Sequence, residues 1–72
     1  MTKDAVQQVL RREPFQPFSF RLTDGKLIPV PHPEFLSISP GGRTAIVFHG
    51  EEQFSIVDLG LVTAIEFQAN GH

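Results

Sequence analysis

Seventy-two residues, no cysteine, and six Lys and Arg against eight Asp and Glu for a formal charge of −2 set narrow bounds. The chain is long enough for one domain that buries only about 60% of its unfolded surface, and it has no disulfide, thiolate metal site or thiol nucleophile to draw on. An acidic balance, with a pI near 5.8, argues against the basic face that phosphate binding needs. No apolar run approaches the ~18 residues of a membrane span and no signal peptide opens the chain, so a cytoplasmic location is expected.

In chain order, the first element is a short amphipathic helix over about residues 3–13. Val6, Val9 and Leu10 fall at helical spacing, with Lys3, Gln7, Gln8, Arg11 and Arg12 around them. Thr2 can cap its start, and Arg11 and Arg12 suit the negative end of the helix dipole. Pro14 disfavours helix at Glu13 and should end it.

A β-hairpin follows. Phe18, Phe20 and Leu22 alternate with Ser19, Arg21 and Thr23, and Asp24-Gly25 marks the turn. A two-residue loop would set Arg21 against Ile28. A three-residue loop, Thr23-Asp24-Gly25 with Gly25 left-handed, sets Phe20 against Ile28 and Phe18 against Val30. A slip of one residue turns every side chain over, so the second register, which unites the apolar set, is the predicted one.

Pro29 and Pro31 share the side of the second strand that faces away from the first. Without N–H groups they make that side an edge or a break. Phe35, Leu36 and Ile38 resume a strand beyond Pro31-His32-Pro33, either as one bent strand or as two short ones. Pro40-Gly41-Gly42 is a turn. Arg43 to His49, with Ala45-Ile46-Val47-Phe48 at its centre, reads as a central strand. Gln53 to Val57 is its partner, with Phe54 and Ile56 facing one way. Asp58-Leu59-Gly60 is a tight turn or a single helical turn, Leu61 or Val62 to Phe67 the last strand, and 68–72 a loose tail.

One helix and about five short strands predict a mainly β domain, a small curled sheet or barrel over about residues 18–67. This order resembles the Sm-like fold, an N-terminal helix followed by a strongly bent five-stranded SH3-like barrel with a bent second strand. Leu10-Arg11-Arg12-Glu13 followed by Phe18-Ser-Phe-Arg-Leu-Thr-Asp-Gly25 is similar to the helix and first strand of the bacterial Sm-like RNA chaperones of the Hfq type. Ala45-Ile-Val-Phe48, Phe54-Ser-Ile-Val57 and Val62-Thr-Ala-Ile65 are similar to their second motif. The likeness implies rim arginines at Arg11 and Arg12. It also implies a basic turn where this chain has Val57-Asp58-Leu59-Gly60, and Asp58 carries the wrong sign for a phosphate path. Pro-Phe-x-Pro-Phe, Leu-x-Asp-Gly, His-Pro-Glu-Phe and Val-Asp-Leu together also resemble a family of short uncharacterised bacterial proteins, which implies no activity.

Catalytic and metal-binding sets are not expected, nor a cofactor. His32 and His49 share no ligand spacing, Ser37, Ser39 and Ser55 have no base at a recognised spacing, and Gly41-Gly42 is too short for a phosphate loop. Asp58 reads as a turn residue satisfying backbone N–H groups, and core filling is the expectation for most of the seven phenylalanines. Two surfaces are candidates. Arg11, Arg12 and Arg21 would form a phosphate or RNA contact if helix and hairpin dock side by side. Phe15, Pro29, Pro31, His32 and Phe35 would form an interaction surface around the proline break. The favoured expectation is a non-enzymatic protein-interaction or self-assembly module, with a divergent Sm-like RNA binder as the alternative.

Overall fold

The computed structural model describes residues 1–67; the expected tail at 68–72 lies outside the described residues. Helix α1 spans Lys3–Leu10, β1 Phe18–Leu22, β2 Leu27–Val30, β3 Leu36–Ile38, β4 Thr44–Phe48, β5 Phe54–Asp58 and β6 Val62–Phe67. Single 3₁₀ turns at Pro33–Phe35 and Leu59–Leu61 lead into β3 and β6.

Thr2 caps α1, its hydroxyl accepting from the Ala5 N–H at 3.2 Å. The helix stops at Leu10 with Arg11 as C-cap, earlier than Pro14 alone requires. Val6 is fully buried while Val9 and Leu10 pack against the core. Beyond Leu10, Arg11, Arg12 and Glu13 are exposed and offer no apolar side chain to hold another turn. At the other end, the Met1 ammonium donates to the Leu59 carbonyl at 3.0 Å and Lys3 Nζ to the Pro40 carbonyl at 3.3 Å. The helix is thereby tied to two turns distant in sequence.

The hairpin takes the three-residue loop. Phe20 pairs with Ile28 and Phe18 with Val30, Leu22 N–H donates to the Lys26 carbonyl at 2.9 Å, and Gly25 sits at φ 88°. Asp24 Oδ1 accepts from the Lys26 N–H at 2.9 Å, closing an Asx turn. The bond from Leu22 to Lys26 also fixes which groups face which way. Residues 18, 20, 28 and 30 direct their main-chain groups across the ladder, so Pro29, opposite Ser19, directs its own away from β1. Its missing N–H takes nothing from the hairpin and blunts the outer edge.

Six strands form two three-stranded antiparallel sheets, ordered β2-β1-β6 and β3-β4-β5. The chain is mainly β with one short helix, as expected, and the two sheets do not close into a barrel. Pro31 and His32 end β2, and the 3₁₀ turn after them carries the chain into the second sheet, so the bent strand becomes two short ones. The sheets do not close because β5 and β6, separated by the turn Leu59–Leu61, are not paired. Asp58 holds that turn, its Oδ1 accepting from the Gly60 N–H at 2.8 Å.

Both sheets and the helix contribute to one core. Phe18, Phe20, Ile28, Val30 and Val62 come from the first sheet, Leu36, Ala45, Val47 and Val57 from the second, with Val6 and Leu59 joining them. Phe18 lies within 5.5 to 6.4 Å, ring centre to ring centre, of Phe20, Phe15 and Phe67. Burying a ring of this kind is favourable by about 1.5–3 kcal/mol. Core filling fails for most of the phenylalanines, however: of the seven, only Phe18 and Phe20 are fully buried, while Phe48, Phe54 and Phe67 are exposed.

Two glycine turns are expected to respond unequally to substitution. Gly25 and Gly42 both occupy the left-handed region, at φ 88° and 78°, so alanine at either should lower stability by about 1 kcal/mol. A Cβ on Gly25 meets open space, whereas one on Gly42 would lie 3.0 Å from Lys3 Cβ at the start of α1. The urea midpoint should therefore fall further for Gly42→Ala than for Gly25→Ala at an unchanged m-value. An equal or reversed order would show that the turn does not abut the helix.

Candidate interaction surface

The proline break builds one half of the candidate site. Pro29 and Pro31 line a groove of about 260 Å³ with Phe35, Phe48 and His49. His32 stands beside it, its ring edge-on to Phe35 at 5.4 Å. Four of the five residues expected here, Pro29, Pro31, His32 and Phe35, thus come together. Phe15 does not join them. It packs against the core beside Phe18 and borders a separate polar depression with Arg12, Glu13, Pro14, Gln16 and Pro17.

Phe48 connects the groove to a second apolar area. In the β4–β5 register Phe48 pairs with Phe54 and Ile46 with Ile56, which puts all four on the outer face of the second sheet. Ala45, Val47 and Val57 alternate with them and are buried. Phe54 is 55% and Ile56 68% exposed, and the Phe48 and Phe54 rings lie 6.1 Å apart. These exposed side chains are neighbours on one face rather than scattered singly. The sequence signalled that Phe54 and Ile56 share a side, but not that this side is the outer one.

The three arginines are each engaged within the chain. Arg21 forms a two-pronged bridge with Glu66 across β1 and β6: Nε donates to Oε2, and Nη2 donates to Oε1 at 3.1 Å. Arg11 Nη2 donates to Gln7 Oε1 at 3.0 Å. The Arg12 guanidinium lies 5.0 Å above the centre of the Phe67 ring, a cation–π arrangement. Arg12 lies beside β6 through this contact, and Arg21 stands on that strand's neighbour.

His49 Nε2 and Ser55 Oγ are 2.7 Å apart, a pairing the linear spacing hides and the β-hairpin creates. Among the described residues no carboxylate hydrogen-bonds the other ring nitrogen, so the pair lacks the orienting group of a nucleophilic triad. Among the same residues no three His, Asp or Glu side chains gather as a metal site, and no helix is long and apolar enough to cross a membrane.

Comparison of the chain with protein-family models, curated proteins and solved structures finds no match.

The Arg21–Glu66 bridge makes a pH-dependent prediction. Hydrogen bonding from Arg21, reinforced by its charge and opposed by desolvation, holds the Glu66 carboxyl below its ordinary 4.5. A depressed folded-state value means that this contribution to stability is complete above about pH 4.5 and disappears as pH falls through the folded value. Side chains about 40% exposed on both partners keep it small. Denaturant midpoints measured from pH 7 to pH 3 should fall less steeply below pH 4.5 in Glu66→Gln than in the parent chain. Parallel acid limbs would dissociate Glu66 from Arg21.

Proposed function

We propose that this chain is a non-enzymatic protein-interaction or self-assembly module whose working surface is the outer face of β4 and β5. The observation that carries the reading is the exposure of Phe54 and Ile56, side by side with Phe48 and Ile46, on a sheet whose opposite face is buried in the core. The proline groove extends that face through Phe48. Within this proposal the fold is an open version of the five-stranded SH3-like or Sm-like barrel. Its support is the strand order: β6-β1-β2 passes through the proline break into β3-β4-β5, with β2 and β3 standing for one bent second strand.

Divergent Sm-like RNA binding through Arg11, Arg12 and Arg21 is the weaker alternative. A phosphate at Arg21 would have to displace Glu66, and one at Arg11 would compete with Gln7. Salt-dependent anisotropy with U-rich and A-rich RNA addresses it directly, because phosphate contacts weaken steeply with salt.

A photo-crosslinking benzoylphenylalanine tests the favoured reading. In place of Phe54 it should give protein adducts, to this chain or to another, on irradiation in cells. In place of Leu61, which is comparably exposed at 49%, adducts should be several-fold fewer. Equal yields at the two positions, or none at either, would sink the proposal that this face is a protein contact.

A further inference from the structure

The two sheets leave four outer edges, on β2, β6, β3 and β5, and an unpaired edge is a template for another strand unless something blunts it. Two of the four are blunted. β2 turns Pro29 outward. β3 is only three residues long. β6 has an open backbone edge, but its outer face carries the Glu66 carboxylate bridged to Arg21 and its one large exposed apolar side chain is Phe67 at its end.

The β5 edge is different. It runs for five residues, Phe54-Ser55-Ile56-Val57-Asp58, with no proline, lysine or glycine. Two bonds at the ends of the β4–β5 ladder fix its polarity: His49 N–H to the Gln53 carbonyl at 2.8 Å and Leu59 N–H to the Arg43 carbonyl at 2.9 Å. Antiparallel pairs alternate between bonded and non-bonded, so residues 53, 55, 57 and 59 spend their main-chain groups on β4. Phe54 and Ile56 therefore present their N–H and C=O groups outward, and Asp58 its N–H, its carbonyl being taken by the 3₁₀ turn Leu59–Leu61 that it caps. Phe54 and Ile56 also carry the exposed apolar side chains. Among the described residues nothing pairs with that side.

We propose that two copies of this chain associate by antiparallel pairing of their β5 edges about a two-fold axis at Ile56. The inference rests on the reading of this face as a protein contact and names the partner as a second copy. Outward groups must meet outward groups, and an axis at Ile56 is the register that pairs all of Phe54, Ile56 and Asp58 within the strand; an axis at Ser55 or at Val57 pairs only two of them and an axis at Phe54 only one. An axis at Ser55 sets Glu52 opposite Asp58 of the partner subunit, twice, and like charges directly opposed are unfavourable. An axis at Ile56 sets Ile56 opposite its own counterpart and Phe54 opposite the partner's Asp58, and moves Glu52 to face the partner's Gly60. That register removes the acid-on-acid contact. The result is a continuous six-stranded sheet, β3-β4-β5 and its symmetry mate, and the Ile46–Ile56 row runs unbroken across both copies. Closed two-fold pairing also consumes both β5 edges, so this contact does not propagate beyond two copies.

The cysteine-free chain allows a clean test with single-cysteine variants at exposed positions. The parent chain should show a concentration-dependent monomer–dimer equilibrium in sedimentation velocity. On mild oxidation Ile56→Cys should form the disulfide dimer at least about tenfold faster than Phe54→Cys, since bonded antiparallel pairs lie about 5.5 Å apart, within disulfide reach. Ile56→Lys, which opposes two ammonium groups on the axis, should weaken dimerisation about tenfold. A parent chain that stays monomeric to about 1 mM, or a dimer in which Ser55→Cys crosslinks faster than Ile56→Cys, overturns the proposal. Adducts at position 54 to other proteins, with no self-association, overturn the two-fold while leaving the contact surface standing.

Discussion

Phe18 and Phe20 stand on the strand that both neighbours of the first sheet share, and neither retains any exposure. Each is flanked across the ladder on both sides, Phe18 by Val30 and Phe67, Phe20 by Ile28 and Ile65. Because side chains alternate strictly along a strand, burying these two rings fixes the parity of everything paired with β1. Arg21 then has to stand on the opposite face, where it meets Glu66. The same parity sends Pro29 outward. A small chain with a thin margin of stability thus uses one pair of rings to set its core, its surface ion pair and its blunted edge together.

The hairpin was legible because two independent signals agreed. Asp24-Gly25 located the turn, and face-matching of Phe18, Phe20, Ile28 and Val30 selected the three-residue loop over the two-residue one. Strand parity also gave the direction of Pro29 before any coordinates. Closure was not legible. Whether the last strand meets β5 depends on how the turn at Leu59–Leu61 aims β6, and the local pattern of Val62–Phe67 is the same whether or not its outer side is paired. The helix end shows a smaller version of the same limit. Pro14 sets the furthest point the helix could reach, but the position of Leu10 against the core sets where it stops.

The candidate face was hidden by an inverted size order. In β4 the residues Ala45 and Val47 go inward while Ile46 and Phe48 go outward. In β5 Val57 goes inward and the larger Phe54 and Ile56 go outward. A run such as Ala-Ile-Val-Phe reads as a strand buried on both faces, and hydrophobicity alone would place the larger members inside. The inner space is already occupied by Phe18, Phe20, Val6 and Leu59, which leaves room for small side chains only. The pairing of His49 with Ser55 was hidden for a different reason. It belongs to the hairpin between β4 and β5, and neither residue's neighbours in sequence signal it.

The absence of closure and the exposed face have a common root. A closed barrel has no edges and one lining, whereas two open three-stranded sheets have four edges and two outer faces to keep wet. The first sheet meets that demand on its outer face with Ser19, Arg21 and Glu66, and leaves Leu27 exposed opposite Arg21. The second has Ser37 on its shortest strand and the Thr44–Asp58 pair at one end of the other two, with Ile46, Phe48, Phe54 and Ile56 over the rest. A polar outer face costs a folded monomer nothing, since water satisfies it. Phe48, Phe54 and Ile56 stay exposed in a single copy of the fold, the last two on a strand whose outer edge is unpaired among the described residues.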